Sequence, residues 1–255
     1  MWSLLSLNLW KGDGAFHRRL ANLRSLLSQQ APEVLCFQEV FAAPEIRADA
    51  FAMIRQALPD HAAYHAPARR KLRQLGQRGA LYSSTSGLAL FSRFAVLEPP
   101  HTLALPDCPE DRDRIAQYAT FATPQGSLRV VNLHLSHLRE DRGLRRRQLS
   151  YLLRALERAE PVDSLVIAGD FNATLEAPAL ESLRALEACF APAGARYAGT
   201  AGRFSSEGFT RAIDHIAVLG GPWRYACREV RWASAPNAPE AVSDHAAVWS
   251  TFNSD

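Results

Sequence analysis

Apolar residues come in short dense runs separated by polar breaks. Runs at 2–9, 34–37, 88–91, 115–121, 128–135, 164–168, 213–219, 223–230 and 246–252 are nearly continuous, as expected of strands covered on both faces, with a shorter one near 95–97. Elsewhere the spacing is helical. Phe16, Leu20, Leu23, Leu26 and Leu27 share one face, with Asp13 placed to cap that helix; Leu149, Leu152, Leu153 and Leu156 share another. Pro44 and Glu45 can open a helix running to about residue 58, and a further helix is expected over 178–186. Residues 66–86 lack either period. With Arg69, Arg70, Lys71, Arg73 and Arg78 ahead of Ser83-Ser84-Thr85-Ser86, they read as a long basic loop, either solvated or functional. No repeat, low-complexity tract or linker interrupts the chain, so one domain over 1–255 of mixed α and β structure is the simplest account.

Composition narrows this only a little. At 255 residues and 47% hydrophobic the chain can bury one substantial core. The formal charge of +3 permits an anionic substrate without marking a nucleic-acid binder. Cys36, Cys108, Cys189 and Cys227 lie far apart with no Cys-x-x-Cys spacing, which argues against a disulfide framework or a zinc ribbon and for free thiols in a reducing cytosol. Residues 1–10 are apolar but have no positive n-region, are interrupted at Asn8 and Lys11, and precede no small-residue cleavage site, so they are expected to be a strand rather than a leader. No run is long enough to span a bilayer, and a cytoplasmic monomer is expected.

The chemistry sits where polar side chains enter or end the apolar runs. Asn8 stands in Ser6-Leu7-Asn8-Leu9-Trp10, and Glu39 ends Leu35-Cys36-Phe37-Gln38-Glu39. His134 stands in Val131-Asn132-Leu133-His134-Leu135, and Asp170 and Asn172 follow Val166-Ile167-Ala168-Gly169. Asp214 and His215 interrupt Ala212-Ile213-Asp214-His215-Ile216, and Asp244 and His245 lie between Val242-Ser243 and Ala246-Ala247-Val248. Any one of these is ordinary: a carboxylate after a strand usually faces solvent, and a histidine in an apolar run is usually a satisfied core residue. Six such segments are harder to dismiss, because strand ends in packed sheets meet at one edge, where a site can form. Like charges about 4 Å apart repel by roughly 4 kcal/mol at an effective dielectric near 20. Glu39, Asp170, Asp214 and Asp244 in one cleft would therefore need protons or a cation, and carboxylate and amide oxygens suit a hard ion such as Mg²⁺ or Mn²⁺.

At these six segments the chain resembles the endonuclease/exonuclease/phosphatase superfamily, which includes DNase I-like nucleases, apurinic endonucleases, inositol polyphosphate 5-phosphatases and neutral sphingomyelinases. The matching pieces run from Asn8 to His245; Gly169-Asp170-Phe171-Asn172 and Ser243-Asp244-His245 are the most specific, supported by Gln38-Glu39 and Ile213-Asp214-His215. The resemblance implies an α/β (α+β) fold, a four-layer αββα sandwich of two packed mixed β-sheets flanked by helices. It implies that Glu39 is the principal metal ligand, with Asn8 close by and Asp244 a second acidic ligand. Asp170 and Asn172 would position the attacking water and a phosphate oxygen. Asp214 would fix the tautomer of His245, which would act as base or bind the phosphoryl oxygen, and His134 would hydrogen-bond the phosphate or protonate the leaving group. The base role stays open between Asp170 and His245.

Arg114 stands where many relatives carry a phosphate-contacting arginine, though Arg112 fits by position and a surface arginine is as good a reading. Arg139, Arg142, Arg145, Arg146 and Arg147 enter the later helix and read first as its solvated face; His137 and His215 neighbour the motifs without an assigned role. The histidine of Asn132-Leu133-His134-Leu135 is unlike apurinic endonucleases, as is Leu9-Trp10-Lys11-Gly12 after the first asparagine. The expectation is a divalent-metal-dependent phosphodiesterase with nucleic acid as leading substrate class. The alternatives are a phosphatase or phosphodiesterase for small or lipid-derived phosphoesters of the inositol phosphate or sphingomyelin type, and a catalytically silent binding module. No Gly-x-Ser-x-Gly elbow supports a serine hydrolase.

Overall fold

The computed structural model describes residues 1–74, 79–138, 143–186, 211–235 and 237–254. Arg78, Arg139, Arg142 and Cys189 lie outside them, as does the side chain of Cys227. In chain order the elements are β1 (Trp2–Asn8), α1 (Phe16–Gln29), β2 (Val34–Ala43), a 3₁₀ turn (Pro44–Ile46), β3 (Ala48–Asp49), α2 (Ala50–Ala57), β4 (Ala62–Gln74) and β5 (Leu81–Ser92). They continue with β6 (Val96–Ala104), β7 (Ile115–Thr123), β8 (Gly126–His134), α3 (Leu144–Glu157), β9 (Ser164–Asp170), a 3₁₀ turn (Pro178–Leu180), α4 (Glu181–Ala185), β10 (Asp214–Leu219), β11 (Trp223–Arg231) and β12 (Ala247–Ser254).

Two mixed sheets result. One is ordered β11-β12-β1-β2-β5-β4, with β3 added to β2; the other is ordered β10-β9-β8-β7-β6. Three buried clusters separate four layers. Leu20, Leu23 and Leu27 of α1 and Ile54 of α2 cover Leu5, Leu7, Leu35 and Phe37 on the outside of the first sheet. Leu149, Leu152 and Leu156 of α3 cover Val131, Leu133 and Ile167 on the outside of the second. Between the sheets pack Leu4, Val34, Cys36, Val130, Val166, Ala168, Ile216 and Val248. This is the αββα sandwich expected, and it explains the sequence pattern: central strands bury both faces, so their apolar runs are continuous rather than alternating.

Strand alternation then sets which residues face the other sheet. In β1 the even positions Trp2 and Leu4 belong to the inter-sheet cluster, so Ser6 and Asn8 point the same way. In β2 Val34 and Cys36 do, so Gln38 follows; in β8 Leu128 and Val130 do, so Asn132 and His134 follow. Val166 and Ala168 lead likewise to Asp170 in β9, and Ile216 and Val218 lead back to Asp214 in β10. The same face of each strand is oily along its length and polar at one end.

Three expectations need correction. Residues 66–86 are not a loop: β4 and β5 form a long antiparallel hairpin over most of that stretch, pairing from Ala62↔Ser92 to Gln74↔Leu81. A bulge between Pro67 and Arg69 lies opposite Gly87, where a Cβ would meet the Ala66 carbonyl oxygen at 2.1 Å, so only glycine admits the close approach. Asp13 does not cap α1, whose first turn has no side-chain cap; its carboxylate instead meets Arg73 at 3.1 Å. The helix expected from Pro44 is broken by β3, and α2 begins only after Asp49, whose carboxylate accepts from the Ala52 N–H at 2.9 Å. Among the described residues no helix is long and apolar enough to cross a membrane.

Candidate active site

The polar ends of the strands meet at one edge of the sandwich. β8 and β9 are parallel and β10 antiparallel to them, and the register sets His134 beside Asp170 and Asp170 beside Asp214, a row of three across neighbouring strands. Gly169 makes the row tight: with φ of 145°, it lies so near β8 that a Cβ would sit 2.0 Å from the Leu133 carbonyl oxygen. On the facing sheet Asn8 pairs with Gln38 in parallel register. A bulge between Phe37 and Val40, with Glu39 at φ of 54°, takes the next residue out of the strand's regular alternation and re-aims it at the edge.

A buried amide bridge fixes the two sheets to each other just behind this edge. Gln38 Nε2 donates to Asn132 Oδ1 at 2.8 Å, and Asn132 Nδ2 donates to the carbonyl oxygens of Phe37 and Ala89 at 3.0 Å each. A second clamp holds the turn after β1. The guanidinium of Arg19, 1% exposed, donates to the carbonyl oxygens of Leu9, Trp10, Lys11, Asp13 and Val242. Trp10 and Lys11 are thereby kept at φ of 56° and 43°, a conformation side chains rarely adopt.

Asp170 is the hub. Its Oδ2 accepts from Asn8 Nδ2 at 3.0 Å and its Oδ1 from the Asn172 N–H at 2.8 Å. His134 Nε2 lies 3.5 Å and His245 Nε2 3.9 Å from Oδ2. Burial, then the Asp214 charge, raise the Asp170 carboxyl to about 7, against the opposing pull of His245, Asn8 and Asn172. His245 Nδ1–H donates to Asp214 Oδ2 at 2.8 Å. Burial alone would lower that imidazole, but Asp214, with Asp170 and Asp244 behind it, outweighs burial and pushes it up to about 10. His134 goes the other way: burial, reinforced by Arg114, Lys11 and His245, holds it well below its ordinary value, so it is a neutral imidazole. Ser243 carries the His245 turn by donating to the Asn8 carbonyl oxygen at 2.5 Å while accepting from the His245 N–H at 3.2 Å.

Glu39 and Asp244 form a second acidic feature. Burial raises the Asp244 carboxyl, and the Glu39 charge raises it further. The Lys11 ammonium sits 2.8 Å from Glu39 Oε1, a cation standing against the carboxylate. Asn8 Oδ1 accepts from the Trp10 N–H at 2.9 Å, which uses one of its two lone pairs. An alternative group exists: Asp170, Asp214 and His245 offer ligand atoms all within 4.8 Å of one another. Within that trio Asp214 is already the hydrogen-bond partner of His245, and all three residues are buried.

The remaining expectations divide. Arg114 lines the cleft, and its Nε is shared between both oxygens of Asp111 at 2.9 and 3.1 Å. Its Nη2 lies 2.6 Å from His137 Nδ1, which is also 3.3 Å from Asp111 Oδ2, so the arginine, the histidine and the aspartate form one cluster. Asn172 Nδ2 donates to the Leu135 carbonyl oxygen at 3.1 Å. His215 is a core residue, with Nε2 2.8 Å from the Ala173 carbonyl oxygen and its ring against Phe171. Arg145 is structural, donating to the carbonyl oxygens of Ser136 and Leu138, while Arg146 and Arg147 are exposed as a solvated helix face should be. Sequence reasoning missed Lys11 and Asp111, while the basic residues that line the cleft from β4 were expected to be a loop, either solvated or functional. Lys11 was visible only as an interruption, and Asp111 lies in a segment with no periodic pattern.

Two packed sheets with acids and imidazoles at one edge define a class, and the chain belongs to it: residues 5–245 match the Endonuclease/Exonuclease/phosphatase family, whose members hydrolyse phosphoesters. The chain is thus an enzyme of that kind, in a family that typically uses divalent metals. Among solved structures it is similar to the endonuclease/exonuclease/phosphatase from Bacteroides vulgatus, at 20% identity over 100% of this chain and 99% of that one, TM-score 0.74. It is similar to humanized TDP2 of D. rerio at 16% identity over 99% of each chain, TM-score 0.76. It is also similar to the mannosyl-6-phosphatase Bt3783 of Bacteroides thetaiotaomicron VPI-5482 at 20% identity over 99% of this chain and 100% of that one, TM-score 0.71. At these identities the likeness concerns the fold. A search of curated proteins finds no match.

Proposed function

We propose that the chain is a divalent-metal-dependent phosphodiesterase, with nucleic acid as its leading substrate class, acting as a single-domain cytoplasmic monomer. One observation carries this reading: Asp170 is flanked by a neutral and a charged imidazole, and of this group His134, together with Glu39, lines a cleft that also holds Lys11, Arg69, Lys71, Arg73 and Arg114. Glu39 and Asp244, with Asn8, would hold Mg²⁺ or Mn²⁺. When bound there, the ion supplies positive charge to the phosphoryl oxygens and lowers the cost of attack.

The chain's own groups divide the rest. Asp170 is the base, because it is poised near neutrality and its two oxygens are oriented by Asn8 and by the Asn172 N–H. It takes the proton of the attacking water as the oxygen bonds to phosphorus and the bond to the leaving oxygen breaks, the leaving oxygen taking its proton from solvent. His245, kept protonated by Asp214, meets the growing charge on the phosphoryl oxygens. His134, being neutral, hydrogen-bonds the phosphate rather than protonating the leaving group. Asn172 and Arg114 complete the phosphate contacts.

The test is an assay of purified protein with and without Mg²⁺ or Mn²⁺ on mono- and diester model substrates, DNA, RNA, sphingomyelin and inositol phosphates. The expected result is metal-dependent diester cleavage that chelation abolishes. Asp170→Asn should lower turnover by about 10²–10⁴-fold while the fold, read by circular dichroism, is kept. Cleavage of monoesters alone would overturn the phosphodiesterase reading, and activity equal in wild type and Asp170→Asn would remove the centre itself.

A further inference from the structure

The function above needs one phosphate at the Asp170 centre, yet positive charge extends well past it along β4. Arg69, Lys71 and Arg73, at alternate positions, line the cleft, whereas Arg70 and Leu72 between them do not. Across the hairpin Arg69 pairs with Ser86 and Lys71 with Ser84, and both serines line the same cleft. The two guanidiniums are tethered, Arg69 3.8 Å from Asp113 and Arg73 3.1 Å from Asp13. Lys71, between them, has no ion pair among the described residues.

The cations are close enough to act on one another. Partial burial, then Arg69, Lys11, Arg73 and Arg114, hold the Lys71 ammonium below its ordinary value. Lys11 and Arg114 also act on His134. The same two cations therefore act on His134 on one side and on Lys71 on the other, and basic side chains line the cleft from His134 to β4 with Glu39, Asp111 and Asp113 among them. Crowded like charges cost free energy that a bound anion relieves. Cations and hydroxyls on a rigid hairpin suit phosphate oxygens.

We propose that Arg69, Lys71 and Arg73, with Ser86, form a second anion subsite that takes a phosphate of the substrate other than the one being cleaved. This rests on the phosphoesterase reading above. The shared chemistry is a phosphate held at a fixed distance from a phosphoester, and it has two sources: the neighbouring phosphate of an oligonucleotide, or the second phosphate of a small bisphosphate. A merely steering surface would respond alike to every nearby charge; a built subsite responds to those aimed into it.

Calorimetric titration of the full chain in EDTA separates these. The probes are a dinucleotide with one bridging diester, the same dinucleotide carrying a 5′-phosphate, a sugar monophosphate and the corresponding sugar bisphosphate. In wild type the added phosphate should tighten one pair by roughly tenfold, the size of one charge-assisted hydrogen bond; the responding pair names the source. Lys71→Ala should abolish the gain, Lys71→Gln should do the same with the side-chain stem retained, and Arg70→Ala should keep it. Equal affinity with and without the added phosphate, or a gain that survives Lys71→Ala, overturns the subsite. Failure of the phosphoesterase reading looks different: the gain persists, but no metal restores diester turnover.

Discussion

At the scale of single residues, the proposed mechanism depends on burial shifting Asp170 and on Asp214 overcoming burial at His245. Asp170 must be ionised to accept a proton, so activity should rise as pH passes through about 7. His245 must be protonated, so activity should fall as pH passes through about 10. Replacing Asp214 with Asn removes the charge that raises His245 and leaves burial, which lowers it, so the falling limb should move to lower pH in a profile of kcat/KM. A falling limb that stays in place would detach His245 from the reaction. The same shifts act on stability. Both groups are raised above their unfolded values, so their contribution is complete below the unfolded value and is lost through about 7 for Asp170 and about 10 for His245. These residues were legible in sequence because a polar side chain in an apolar strand is conspicuous. His137 and Asp111 were not, since a histidine and an acid in irregular chain carry no pattern until Arg114 is seen to join them.

At the scale of elements, chemistry depends on how closely strands approach. Gly169→Ala would place a Cβ 2.0 Å from the Leu133 carbonyl oxygen and force β8 from β9. That should cost roughly 3 kcal/mol of stability, as overpacking and special backbone positions do. It should also lower turnover beyond what thermal melting explains, because the His134–Asp170 row is set by that pairing. Full activity with an unchanged melting temperature would show that the row does not depend on it. The central strands were readable as runs because helices and the partner sheet cover both faces. The β4–β5 hairpin was not. β4 is an edge strand whose outer half carries charge on both faces, so its residues show no apolar period and only backbone pairing reveals a strand. The four layers also needed more than periodicity, which marks a strand without saying which sheet it joins.

At the scale of the whole molecule, a formal charge of +3 understates the field in the cleft, where Lys11, Arg69, Lys71, Arg73 and Arg114 gather. Glu39, Asp111 and Asp113 line the same cleft beside them, and acids and bases nearly balance over the whole chain, so composition alone gave little sign of the gathering. If Glu39 and Asp244 hold the metal, Mn²⁺ or Mg²⁺ should raise the melting temperature of wild type in proportion to the logarithm of its concentration once the site is near saturation. Glu39→Gln should flatten that response. A response of full size in the variant would move the ion to another set of ligands, with Asp170, Asp214 and His245 next to be examined.

The alternation along β1, β2, β8, β9 and β10 has a consequence for how such a protein can change over time. The innermost side chains of each strand glue the layers, and the last one or two at the rim form the polar edge where the proposed chemistry sits, so durability and reactivity would be assigned to different stations on the same ribbon. Exchanging the rim stations can therefore redirect the chemistry while the interior stays untouched, much as the teeth of a key are recut without altering its shaft.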